Sequence, residues 1–155
     1  MILPDLLDTH RHEIVDEAAR TLARSRLEHY DEQGFGAAHE KLSRLLAVTV
    51  RCVRERDLRP MLSYADAIAR ERRAAGFDLR EVQMAFNVLE EAIWRQVVPE
   101  VPRDHLAEVI GLLTTIHGAG KDEVARTWVE LVTQQQVGSL DLTAALKRPG
   151  SSPGG

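Results

Sequence analysis

The sequence has little of what usually announces a function. Its 155 residues include a single cysteine, Cys52, so no internal disulfide can form. Val50 and Val53 flank that thiol, which suits an inert buried side chain in a reducing, cytoplasmic compartment. Aromatic residues amount to 5%, too few for the stacking platforms that hold single-stranded nucleic acid. A basic field is also missing: the formal net charge is −4 and the pI about 5.9, which argues against a general nucleic-acid binder. No apolar run approaches the roughly 20 residues of a membrane helix. The opening Met1-Ile2-Leu3-Pro4-Asp5 has neither the basic nor the apolar region of a signal peptide. The expectation is a soluble cytoplasmic protein with no nucleic-acid or membrane partner.

What the chain does have is helical periodicity. Leu7, Ile14, Ala18 and Leu22 fall in one row, after Pro4 and with Asp5 or Asp8 available as a cap. Asp31 to Gly36 breaks the pattern with two glycines. From about Ala37 to Arg56 a second stripe runs through Ala38, Leu42, Leu45, Leu46, Thr49, Val50 and Val53. Pro60 suits the first turn of the next helix, where its missing N–H would be unpaired in any case. That helix carries Met61, Leu62, Ala65, Ile68 and Ala69 on one side and Arg70, Glu71, Arg72 and Arg73 on the other. Gly76 stops it. Asp78 with Glu81 three residues on is an Asp form of the capping box, opening a helix striped by Leu79, Val82, Phe86, Leu89, Ile93 and Val97 and ended by Pro99. After Pro102 and Asp104, one phase runs from Leu106 through Val132, across Gly118 and Gly120, and predicts a single long helix, straight or kinked at those glycines. No strand-like alternation and no repeat appears.

The expected fold is therefore all-α: a single compact bundle of about five to six helices with a long C-terminal helix. Residues 1–138 form the domain. Residues 139–155 form a short helical segment, Leu140–Leu146, and a flexible tail rich in Pro, Gly and Ser.

Motifs that suggest chemistry are incomplete. His12 and Asp16 share a helix face as i and i+4, but two ligands do not make a tight metal site, and the second His of a zinc-peptidase helix is missing. His10 projects elsewhere, since successive helical residues lie about 100° apart. The same geometry separates Glu90 from Glu91. Gly118-Ala119-Gly120-Lys121 lacks the first glycine, the Ser/Thr and the preceding strand of a phosphate loop; its small residues suit close helix packing. His117, beside Ile116, is the one histidine placed to ligate a haem in a helical pocket, against the plainer reading of a histidine with a local hydrogen bond. Arg70, Arg72, Arg73 and Arg80 gather around Gly76, interleaved with acids as on a solvated surface. No catalytic set emerges, so the chain is expected not to be an enzyme and to carry no cofactor.

The stretch Tyr64–Val82, with an Ala/Arg-rich helix, then Gly76-Phe77-Asp78-Leu79-Arg80-Glu81-Val82, then a helix bearing Phe86, Leu89 and Trp94, resembles the RsbRD N-terminal domain family, the sensory part of RsbT co-antagonists. The resemblance extends over about Leu6 to Val137. It implies a globin-like helical fold, without haem in the best-known members, used as a sensor and dimerisation module ahead of an output domain, and it brings no catalytic residues. The resulting expectation is a noncatalytic signalling module of stress response, acting by protein–protein contact and as a homodimer. Its alternative is a small-ligand or haem sensor using His117. Val124, Trp128, Leu131 and Val132 on the last helix are the candidate partner surface.

Overall fold

The computed structural model describes residues 2–25 and 28–147, with side chains described at residues 2–25, 34 and 36–137. Among these residues every regular element is helical: α1 (Leu3–Thr9), α2 (Arg11–Arg24), α3 (Glu28–Glu55), α4 (Arg59–Ala74), α5 (Leu79–Val97), a 3-10 turn at Val98–Glu100, and α6 (Arg103–Lys147). The expected all-α bundle with a long last helix is what the chain forms. The tail after Lys147 lies outside the described residues. The segment Leu140–Leu146 falls inside α6.

Local chemistry explains most boundaries. Gly34 is non-helical (φ 82°, ψ 172°) and interrupts α3 where two glycines were read as a break. Pro60 stands in the first turn of α4. Gly76 takes φ 89°, the left-handed conformation a helix stop requires. The capping box is complete: Asp78 Oδ1 accepts from the Glu81 N–H at 2.9 Å, and Glu81 Oε1 accepts from the Asp78 N–H at 3.1 Å. One boundary was not anticipated. The first apolar row spans two helices, α1 and α2, because the turn at His10 keeps its phase. The His10 N–H bonds the Leu6 carbonyl, and the Ile14 N–H bonds the His10 carbonyl.

The core lies between α2, α3 and α5, and is closed by α4 packed along α6. Leu22, Leu42, Leu46, Met61, Phe86, Leu89, Ile93 and Leu113 are among its fully buried or nearly buried side chains. α6 has 45 residues and is about 67 Å long at the usual rise. It approaches its neighbours closely at Gly120. A methyl group built there would stand 2.6 Å from Phe86 Cε1 on α5 and 2.9 Å from Met61 Sδ on α4. At Gly118 the same methyl meets nothing within 4 Å. The two glycines, two residues apart, thus face opposite conditions. Gly120→Ala is expected to destabilise the fold by about 1–3 kcal/mol through overpacking. Gly118→Ala is expected to stabilise the separate chain by roughly 0.5–1 kcal/mol through helix propensity. Urea unfolding measures both, and equal effects of the same sign would contradict the packing.

Candidate functional site

The most buried polar side chains join α6 to the rest of the bundle. His117 is fully buried. Its Nε2 lies 3.1 Å from the Thr49 hydroxyl of α3, and its Nδ1 lies 2.8 Å from Glu90 Oε2 of α5. The Thr49 hydroxyl also donates to the Leu45 carbonyl of its own helix at 2.9 Å. One imidazole therefore ties three helices, and both of its nitrogens are engaged. A haem iron would have to displace one of these bonds. The partners of His117 lie 68 and 27 residues away, on α3 and α5, and not on its own helix as a local hydrogen bond would require. A second tie runs from α6 to α4. Buried Thr127 donates to Asp66 Oδ1 at 2.8 Å, and Arg70 bonds the same carboxylate. The Arg70 and Thr127 hydrogen bonds hold the Asp66 carboxyl below its ordinary range.

The other sequence candidates are dispersed. Asp16 Oδ1 bonds His39 Nε2 at 2.9 Å, while His12 is exposed. No group of three or more His, Cys, Asp or Glu that could hold a metal occurs among the described residues. His10 bonds Glu100 at 3.0 Å. Glu91 turns to Arg95, away from Glu90. Cys52 is buried, and burial pushes its thiol above the usual value, so little thiolate forms.

The arginines around Gly76 divide. Arg70 pairs with Asp66 at the surface. Arg73 bonds Gln135 and sits over the Trp128 ring, 5.9 Å from its centroid, which fastens the end of α4 to α6. Arg72 departs from its expected place on the outer face: it is 4% exposed, with its guanidinium 5.4 Å from the Phe77 ring centroid and 3.2 Å from Glu71. The row Met61, Ala65, Ala69, continued by three residues, ends on Arg72, and the planar ion is accommodated because it stacks on an aromatic face.

Of the candidate partner residues, Val124 is fully buried and Trp128 nearly so, while Leu131 and Val132 are half-buried. The first two serve the chain's own core. The open side of α6 is another row. Gly111, Thr115, Gly118, Asp122, Ala125 and Val129 follow one another at alternating spacings of about four and three residues, none is buried, and Val129 is 62% exposed. Lys121 bonds Asn87 at 3.1 Å, and His117 bonds Glu90, so α5 runs antiparallel beside this row. Continuing the register brings Trp94 level with Thr114. Trp94 Nε1 is buried and has no hydrogen-bond partner. Beside it lies a shallow pocket of about 470 Å³ lined by Asn87, Glu90, Glu91, Trp94, Arg95 and Val98.

Comparison with protein families matches residues 11–136 to the RsbT co-antagonist protein rsbRD N-terminal domain. The chain belongs to this family. Comparison with curated proteins and with solved structures gives no match. As an RsbRD N-terminal domain the chain is a sensor-type domain of stress signalling, and the capping box at Asp78–Glu81 lies within the matched span. No helix among the described residues is long and apolar enough to cross a membrane.

Two outcomes test this geometry. His117→Ala removes a buried ring and strands its partners, so unfolding free energy should fall by about 3 kcal/mol. Glu90→Gln, which keeps an acceptor for Nδ1–H, should cost clearly less. The Asp66 carboxyl is held low in the folded chain, so its contribution to stability is present above the unfolded carboxylate range and lost as pH falls through the folded value. Asp66→Asn should therefore flatten the acid limb of a stability–pH curve and leave its slope above pH 6 unchanged. An unaltered acid limb would contradict the assignment.

Proposed function

We propose that this domain is a noncatalytic signalling module that works by pairing with a second copy of itself along the α5–α6 face, and that the pair presents α6 to a protein partner of the pathway. The observation that carries the reading is the exposed row from Gly111 to Val129. Its spacing has the 3.5-residue period of a helix seam, and its small residues let another helix approach closely. Two further observations support it. Residues 133–137 of α6 are all exposed although the helix continues to Lys147, and a helix uncovered on all sides is marginal by itself. Trp94 keeps a buried N–H without an acceptor at the edge of the same face, a group whose desolvation costs about 1–3 kcal/mol until a partner supplies one.

The domain performs no reaction in this reading, and the buried His117 tie sets the position of α6 relative to α5. A signal that shifts α6 would be passed on through the seam. Light scattering at high micromolar concentration should give about twice the 17.3 kDa chain mass. Val129→Glu, at an exposed position that the protomer does not need, should give a folded monomer. A monomeric wild-type chain defeats the pairing. A dimeric Val129→Glu protein moves it to another face.

A further inference from the structure

A second surface, separate from the α5–α6 face, has the build of a ligand site. α3 and α4 leave between them a groove of about 650 Å³, within the size range of small-molecule pockets. The helices run antiparallel from the turn at Arg56–Leu58, so the groove has two unlike ends. Near the turn its walls are Val48, Tyr64 and Ile68. Away from the turn they are Lys41 and Arg72, both stacked on Phe77 with their charged groups 5.3 and 5.4 Å from the ring centroid. A recess of about 20 Å³ behind the groove holds little more than one water, so any occupant lies between the two helices and not in the core.

The charges select the occupant. Lys41, Arg44 and Arg72 line the groove with Glu40 and Glu71. Among the described lining residues, three cations and two acids leave one net positive charge, in a chain whose net charge is −4. Glu40 is taken by Arg44 at 2.7 Å and Glu71 by Arg72 at 3.2 Å. We propose that this groove binds a small organic monoanion, a monocarboxylate with an apolar body, its carboxylate at Lys41 and Arg72 and its body along Val48, Tyr64 and Ile68. A dianion is disfavoured because its second charge would face Glu40 and Glu71. Burial, and then the charge of Arg72, push the Lys41 ammonium below the usual lysine value, a penalty that a bound carboxylate reverses.

Isothermal titration of the full chain with sodium octanoate, below its micellar range, tests the site against sodium acetate, octan-1-ol and inorganic phosphate. Octanoate should bind saturably, one per chain, and at least tenfold tighter than each of the other three. Lys41→Gln should weaken it at least tenfold, and Ala67→Phe, which fills the groove from an exposed wall position, should abolish binding. Thermal melts establish that the variants fold. If Lys41→Gln does not, Lys41→Met, which keeps the apolar stem and removes the charge, is read in its place with the same expected loss. Octan-1-ol binding as tightly as octanoate, phosphate binding more tightly, unaltered affinity in the charge variant, or no saturable binding would each overturn the proposal. Val129→Glu should bind octanoate like the wild type, so failure of the pairing and failure of this site are told apart.

Discussion

The fold depends on how closely α6 comes to α4 and α5. Gly120 permits the approach by having no side chain at the point where Phe86 and Met61 meet the helix. Three residues earlier, His117 fixes the approach with directional bonds to Thr49 and Glu90. An apolar contact is tolerant of small slides, whereas a buried imidazole bonded at both nitrogens is not, because displacement leaves polar groups unpaired in the core. Dense packing at Gly120 and hydrogen bonding at His117 together set the depth and register of α6. Thr127 and Asp66, and Arg73 with Gln135 and Trp128, continue the attachment to α4 further along the helix.

Once its inner face is fixed in this way, α6 has a defined outer face, and that face is what a signalling domain can offer. The inner row, with Val124 and Trp128, is spent on the core. The outer row is small and open, from Gly111 to Val129. The groove between α3 and α4 is built from other residues, with its own charge balance, and Phe77 serves it as the platform for Lys41 and Arg72. The stretch around Gly76 therefore stops α4, starts α5 and shapes one end of that groove. A sensor domain needs a place where a signal enters and a place where it leaves, and these two surfaces are the features of the fold that suit those tasks.

Local features were legible in the sequence. The break at Gly34, the start at Pro60, the stop at Gly76 and the Asp78–Glu81 box each follow from the conformational preferences of one or two residues, and so did the long phase of α6. Long-range pairings were not legible. Nothing in the spacing of His117 names Thr49 or Glu90, and nothing near His12 reveals that Asp16 bonds His39. The charge of Arg72 points to the outer face, whereas its position in the row Met61–Ala65–Ala69 places it inward, where it lies. Val124 and Trp128 stand out as large apolar residues of α6, and an amphipathic helix spends such residues on its own core first. The open row carries glycine, alanine and threonine, small residues whose signal in a sequence is faint because they leave no hydrophobic mark.

The central claim is that the outer row of α6 meets its counterpart in a second copy. Pulsed dipolar spectroscopy on a chain labelled at Glu130→Cys, an exposed position beside the row, with Cys52→Ala to remove the native thiol, reads that pairing without altering the row itself. Helices packed through a seam lie about 8–10 Å apart, and the row from Gly111 to Val129 is about 27 Å long, so the account predicts an intermolecular coupling within about 40 Å whether the two helices run parallel or antiparallel. An absence of intermolecular coupling in a folded sample at high micromolar concentration would contradict it.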